Sequence, residues 1–292
     1  MLFTTDVFDG LIIKNELLWK EVLHQDAHTV TLKVGGGEWR DAFVKWTLAQ
    51  GYAGLENLIS IPGTVWASPV QNIGAYGKEV NEHIVEVHGI DLTDSSPTLQ
   101  ILPADACLFG YRDSIFKHAL AGHFLITHVV FTLQKYDPDT YFPNANYPDV
   151  TKRLESDGLT IADLSPTRLA EIIAEIRASK FPDLGTYGTA WSFFKNLIVT
   201  TEQFEQFKRR YPEVTAYPVD GGFKIPTWWI IDHAIGRKGK RIGNVWCWDK
   251  QALVVTNYGW ATGPEIVSFS KTLQAEVRER CGVDIEAEVN FV

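Results

Sequence analysis

The sequence predicts an α+β protein of two domains. Short β-branched or alternating runs crowd the first 135 residues, helical spacing of apolar side chains appears after residue 165, and a glycine-rich stretch, Gly185–Gly188, separates the two regimes. With 292 residues, 45% hydrophobic and 22% charged, the chain can bury a sizeable core and is longer than one average domain. The division expected is residues 1–185 and 186–292.

The elements follow in order. Leu11–Ile13, Thr29–Val34, His83–His88, Leu99–Leu102 and Leu125–Leu133 read as strands. Glu38–Gln50 reads as a helix ended by Gly51. Tyr136–Val150, holding Pro138, Pro143, Asn144, Asn146 and Pro148, reads as a long loop, a feature that is usually functional in a compact chain. Ser165 then caps a helix with Pro166 at its first position, and Leu169, Ile172, Ile173 and Ile176 mark its buried face. Phe181-Pro182 ends it. Beyond the glycine-rich stretch come a helix at Thr201–Arg210, strands near Ile242–Trp246 and Ala252–Thr256, and a last helix, Gly263–Cys281, capped by Thr262.

Charge and composition exclude several classes of partner. A net charge of -9 and a pI near 5.4 disfavour nucleic acid and anionic membrane surfaces, which require excess Lys and Arg. Cys107, Cys247 and Cys281 are too few and too scattered for a disulfide framework or a zinc cluster, so a reducing cytoplasm is expected. No apolar run approaches the ~20 residues of a membrane helix. His118, His123 and His128, spaced by five, share no helical face, which argues against a metal site. RKGKR at 237–241 lacks phosphate-loop order and reads as a solvated turn before a strand. Gly35–Gly37 lacks the GxGxxG spacing of a dinucleotide loop.

Two segments carry the chemistry of the first domain. IPGTVWASPVQNIGAYG, from Ile61 to Gly77, frees its backbone at Gly63, Gly74 and Gly77 and sets Asn72 and Tyr76 among them. Such a loop suits a polar cofactor, or equally a tight structural crossover. FGYRDSIFK adds Arg112, a bidentate cation, on a predicted strand. In the second domain WSFFKN places Ser192 beside Lys195 and Asn196, a hydroxyl that can act as an acid only if neighbours stabilise the developing charge.

Together these motifs resemble those of the UDP-N-acetylenolpyruvoylglucosamine reductases (MurB), and the resemblance runs from about Leu2 to the end. WSFFKN resembles the family's GSFFKN, IEAEVNF its EPEVR ending, and RASKFPD its RTTKLPD. The resemblance implies an FAD-binding domain of the vanillyl-alcohol oxidase type in residues 1–185, its first subdomain largely missing, and a smaller α+β substrate-binding domain in 186–292. It implies NADPH-dependent reduction of UDP-N-acetylglucosamine enolpyruvate through FAD, in the cytoplasm, by a monomer. Ser192 matches the proton donor, and Glu288 and Arg112 match the groups that stabilise charge. Tyr147, Lys180, Asn196 and Gln251 match substrate-binding positions, and Pro62, Gly63, Asn72, Gly74, Ala75 and Tyr76 fall in the cofactor loop.

Departures from the pattern accompany the matches. The sequence begins just after the segment that carries the family's GxGSN phosphate loop. Tryptophan stands where the family normally has a small residue at Trp19, Trp66, Trp191, Trp228, Trp246 and Trp260; Asn290 replaces an arginine and Leu197 a proline. Trp66, inside the cofactor loop, is expected to collide with a close backbone approach or to force positive φ on a bulky residue. These departures leave open a catalytically inactive relative that binds UDP-sugar or a protein partner. A flavin oxidase of the same superfamily is a further alternative, without support from SFFKN.

Overall fold

The structure, a computed structural model, describes residues 8–292. The first seven residues, where the resemblance begins, lie outside the described residues. The chain divides into two compact units, Ile12–Arg177 and Ala178–Val292 together with Phe8–Leu11.

The first unit is built on an antiparallel sheet. Strands β1 (Lys20–Gln25) and β2 (Thr29–Gly35) form a hairpin turned by Asp26, whose carboxylate accepts the N–H groups of His28 and Thr29 at 2.8 and 2.7 Å. Helix α1 (Arg40–Ala49), β3 (Tyr52–Ala53), α2 (Ala67–Val70) and the short ladder of β4 (Gly74–Ala75) and β5 (Lys78–Glu79) follow. Strands β6 (Ile84–Asp91), β7 (Leu99–Pro103) and β8 (Phe124–Lys135) complete the sheet in the order β1-β2-β8-β6-β7, with β3 also on β8. Twelve residues long, β8 is the strand to which β2, β6 and β3 all bond.

Alternation sets the faces. Val30, Leu32, Val34, Val129, Phe131 and Leu133 pack with Phe43 and Val44 of α1 and with Leu169, Ile172 and Ile173. Between them point Thr31 and Thr132, bonded hydroxyl to hydroxyl at 3.0 Å. Helices α3 (Pro148–Asp157) and α4 (Pro166–Lys180) end this part of the chain. The Ser165 hydroxyl accepts the Arg168 N–H at 3.1 Å, which satisfies an orphan donor of α4.

The second unit has two small sheets. Strands β9 (Gly188–Ser192), β10 (Leu197–Val199), β11 (Tyr217–Val219), β12 (Gly222–Ile225), β13 (Arg241–Ile242), β14 (Val245–Cys247) and β15 (Val254–Asn257) pair in the orders β10-β12-β11 and β13-β14-β15-β9. Helices α5 (Thr201–Arg210), α6 (Thr227–Trp229, continued by a π turn) and α7 (Gly263–Cys281) accompany them. Thr262 and Glu265 form a reciprocal capping box on α7. Phe193, Phe194, Ile225, Ile231, Val245, Cys247, Leu273 and Val277 form the centre of this core.

Several expectations are corrected. Leu11–Ile13 forms no strand and stands 83%, 63% and 49% exposed, because no described strand lies beside it to bond. Arg112 lies not on a strand but in the tight turn Gly110–Asp113, at φ 53°. The long loop stops at Tyr147, since Pro148 starts α3 at N1. Ile242–Trp246 is not one strand but the hairpin β13–β14, with Gly243 at φ 58° in its turn. Strand β1, with its exposed KEVLHQ, gave no apolar signal of its own.

Candidate active site

The cofactor loop is strained and tightly held. Asn72, Tyr76 and Arg112 sit at φ 43°, 50° and 53°, a region that costs an L-residue roughly 1 kcal/mol or more and persists only when surroundings over-determine it. Asn72 is fully buried. Its amide donates to Glu79 Oε2 at 2.8 Å and to the Gly110 carbonyl at 3.0 Å, while its side-chain oxygen accepts the Asn81 N–H at 3.1 Å. The Asn72 side chain is therefore committed to the loop itself.

Arg112 completes the same network. Its guanidinium donates to the carbonyls of Asn72 at 3.4 Å and of Gly74, and lies 3.6 Å from Glu79. The structure thus brings FGYRDSIFK onto the cofactor loop. A Cβ on Gly74 would come within 2.9 Å of Arg112 Nη1 and 2.7 Å of the Lys78 carbonyl, so the close approach requires glycine. Ala75 pairs with Lys78 in the β4–β5 ladder. Buried Tyr76 takes a hydrogen bond from Arg177, and burial pushes its phenol pKa up. Tyr147 places its ring 5.0 Å from Tyr76, edge to face, and stays 43% exposed.

Ahead of this network, residues 36–40 zip to residues 63–66. Arg40 N–H donates to the Gly63 carbonyl, Val65 N–H to Glu38 and Trp66 N–H to Gly36, at 2.9 to 3.0 Å, so the triple glycine abuts the loop. Pro62 is exposed at its turn, and Gly63 has φ 110°. Trp66 adopts φ −59° and ψ −29° at the start of α2 and packs against the core of this unit. The expectation that it forces positive φ is overturned: the position is right-handed helical and suits any L-residue.

The second unit gathers the SFFKN segment and the C-terminal segment. Ser192 ends β9 opposite Val254, and its hydroxyl has no hydrogen-bond partner among the described residues. Glu288 N–H donates to the Phe193 carbonyl at 2.8 Å, Phe194 bridges Ala287, and Lys195 N–H donates to Glu286 at 2.9 Å. This pairing sets Glu288 one residue from Ser192 across the backbone. Lys195 is tied to Glu286 at 2.8 Å. Asn196 accepts the Thr227 N–H through Oδ1 at 3.1 Å, and Gln251 accepts the Leu253 N–H at 3.3 Å. Lys180, half-buried, ends α4. Trp191, directly before Ser192, holds φ 64° with its indole 4.3 Å from the Phe181 ring.

The remaining sequence features are occupied elsewhere. His118 bonds Asp113 at 2.8 Å, His123 bonds Asp91 at 3.0 Å, and His128 lies 4.3 Å from the His88 ring. In 237–241, Arg237 forks onto Glu276 and Lys238 pairs with Asp232 at 3.0 Å. The cysteines are free, and burial pushes Cys107 and Cys247 up to about 12.

Comparison with known proteins assigns the lineage. Residues 183–292 match the family model of the UDP-N-acetylenolpyruvoylglucosamine reductase C-terminal domain, and residues 2–96 match that of an FAD binding domain. UDP-N-acetylenolpyruvoylglucosamine reductases of Burkholderia orbicola (strain MC0-3) and Burkholderia multivorans are each 40% identical over 289 residues, covering 99% of this chain and 80% of theirs. This chain belongs to that family. The MurB crystal structure from Thermus caldophilus shares the fold at a TM-score of 0.59 and 19% identity, covering 89% of this chain and 71% of that one.

FAD is the cofactor of this MurB chain, and the residues present fit it. The loop joins glycines that exclude a Cβ to a buried guanidinium, Arg40, whose Nε has no partner among the described residues. The sequence reading did not single out Arg40 or Arg177. Both are buried arginines, and nothing in the pattern of a helix start or of an amphipathic helix separates them from surface cations.

Proposed function

We propose that this chain catalyses the FAD-dependent, NADPH-using reduction of UDP-N-acetylglucosamine enolpyruvate to UDP-N-acetylmuramate, the step that serves peptidoglycan synthesis. The observation that supports it most is the coupling of the SFFKN segment to the C-terminal segment, with the Ser192 hydroxyl unpartnered among the described residues and Glu288 on the adjoining backbone. FAD, once reduced by NADPH, would supply the hydride to the enolpyruvyl group. Ser192 delivers the proton to the neighbouring carbon of the enolpyruvyl group, which an isolated hydroxyl cannot do without help. Glu288 and Arg112 stabilise the charge that develops on the enolpyruvyl carboxyl side. Lys180 and Tyr147 hold the diphosphate of the UDP sugar, a fixed anion, with Asn196 and Gln251 as further substrate amides. Pro62, Gly63, Asn72, Gly74, Ala75 and Tyr76 shape the cofactor loop.

The domains that carry these roles are residues 1–185 for FAD and 186–292 for substrate. Three free cysteines and a net charge of -9 support a monomer in a reducing cytoplasm. Among the described residues no helix is long and apolar enough to cross a membrane. The inactive alternative rested in part on Trp66, and its ordinary helical backbone removes the positive-φ objection but not the bulk of the indole. The test is Ser192→Ala. Reduction of the flavin by NADPH should stay within about twofold of the unaltered protein, while reoxidation by the enolpyruvyl substrate slows by roughly 10²–10⁴-fold. Equal loss in both half-reactions would remove Ser192 from the mechanism.

A further inference from the structure

Arg40 is a cation in the wrong place for a protein without a ligand. It is 5% exposed, and its side chain donates one hydrogen bond, 3.3 Å to the Thr64 carbonyl; Nε has no partner among the described residues. Among the described residues no carboxylate forms an ion pair with it. Glu38 is held by Lys20 at 2.7 Å, and Asp41 is spent on Lys45 at 2.7 Å and the Ser60 N–H at 2.7 Å. Burial alone lowers its pKa, to about 10. A buried guanidinium lacking a counter-ion costs several kcal/mol in general, so the fold tolerates it only for a reason.

Its surroundings supply the reason. Arg40 is the first residue of the ten-residue helix α1, whose N-cap, Trp39, gives no side-chain hydrogen bond. The positive end of the helix and the guanidinium therefore add, a combination that attracts an anion. The guanidinium faces Gly63 at φ 110°, where a Cβ would come within 2.6 Å of Nη2. Cation, helix end and side-chain-free backbone meet on one turn of the cofactor loop.

We propose that Arg40 is the counter-ion of the FAD diphosphate in this chain. The inference rests on the function proposed above, and it assigns one residue that the family motifs did not indicate. A fork of N–H donors pairs with phosphate oxygens at two points, and it does so most effectively where water is excluded.

The experiment compares the unaltered protein with Arg40→Met and Arg40→Lys, by titration with FAD and with riboflavin, which has no phosphate, and by thermal unfolding of the flavin-free protein. Arg40→Met should weaken FAD at least about tenfold, leave riboflavin within about twofold, and raise the flavin-free unfolding midpoint, because the unpaired charge is gone. Arg40→Lys should fall between. FAD affinity kept within twofold by Arg40→Met overturns the proposal. So does equal weakening of FAD and riboflavin, or a lowered flavin-free midpoint, since each marks Arg40 as part of the loop's scaffold. If the unaltered protein takes up neither flavin, the function proposed above falls and this inference with it. If it binds both flavins equally, the function stands and the inference alone falls.

Discussion

Replacing Asn72 by alanine should remove the central pin of the cofactor loop. The substitution deletes one hydrogen bond to a carboxylate, at 2.8 Å from Glu79, and two to backbone groups, at 3.0 and 3.1 Å. A bond to a charged acceptor contributes about 1.5–3 kcal/mol and a neutral one about 0.5–1.5, so the loss is about 2.5–6 kcal/mol. Alanine at φ 43° adds about 1 kcal/mol of backbone strain, which Asn tolerates and Gly avoids. Asn72→Gly should therefore be more stable than Asn72→Ala by about 1 kcal/mol, although it loses the same bonds. Asn72→Asp keeps only the acceptor for Asn81 and brings a second carboxylate against Glu79, so it should be no better than alanine. Urea unfolding followed by tryptophan fluorescence measures all three. Asn72→Ala within 1 kcal/mol of the unaltered protein, or Asn72→Gly below Asn72→Ala, would refute the assignment of Asn72 as a structural pin.

Two further outcomes are expected. Burial, followed by the neighbouring His88 and Lys33, lowers His128 to about 4, below the ordinary 6.5. The unfolded chain then binds the proton more readily, so stability is complete above pH 6.5 and falls as pH drops toward 4, by about 1–2 kcal/mol after solvent screening. His128→Gln should flatten that slope in pH-dependent urea titrations; an unchanged slope removes His128 as its cause. Trp191 at φ 64° sets strain of about 1 kcal/mol against its tilted ring contact with Phe181. Trp191→Gly should accordingly lie above Trp191→Ala by about 1 kcal/mol in thermal unfolding, and the reverse order would show that the backbone there is unstrained.

Elements whose signal is local were legible in the sequence. Pro166 after Ser165, and Thr262 three residues before Glu265, place helix starts because capping involves only side chains and backbone within one turn. The alternation in Thr29–Val34 marked a strand because it buries one face, and Leu125–Leu133 was marked by its β-branched run although both of its faces are buried from His128 to Phe131. Strand β1 was not legible: its residues are exposed, and its partner β2 alone makes it a strand. Leu11–Ile13 fails in the opposite sense, with β-branched residues but no strand beside it among the described residues.

The motifs that carry the chemistry were likewise readable as words, from the cofactor loop through FGYRDSIFK to SFFKN, because a site needs given residue types at short spacing. What those residues bond to was not. Only the folded chain turns Arg112 onto Asn72 and Gly74, 38 to 40 residues away, commits the Asn72 amide to Glu79 and Gly110, and sets Glu288 beside Phe193. Only the fold makes Trp66 helical and Trp191 left-handed, although both stand at positions expected to hold a small residue. Side-chain identity is written locally, whereas burial, counter-ions and φ are set by whatever distant segment arrives alongside, and that is how Arg40 became a buried cation.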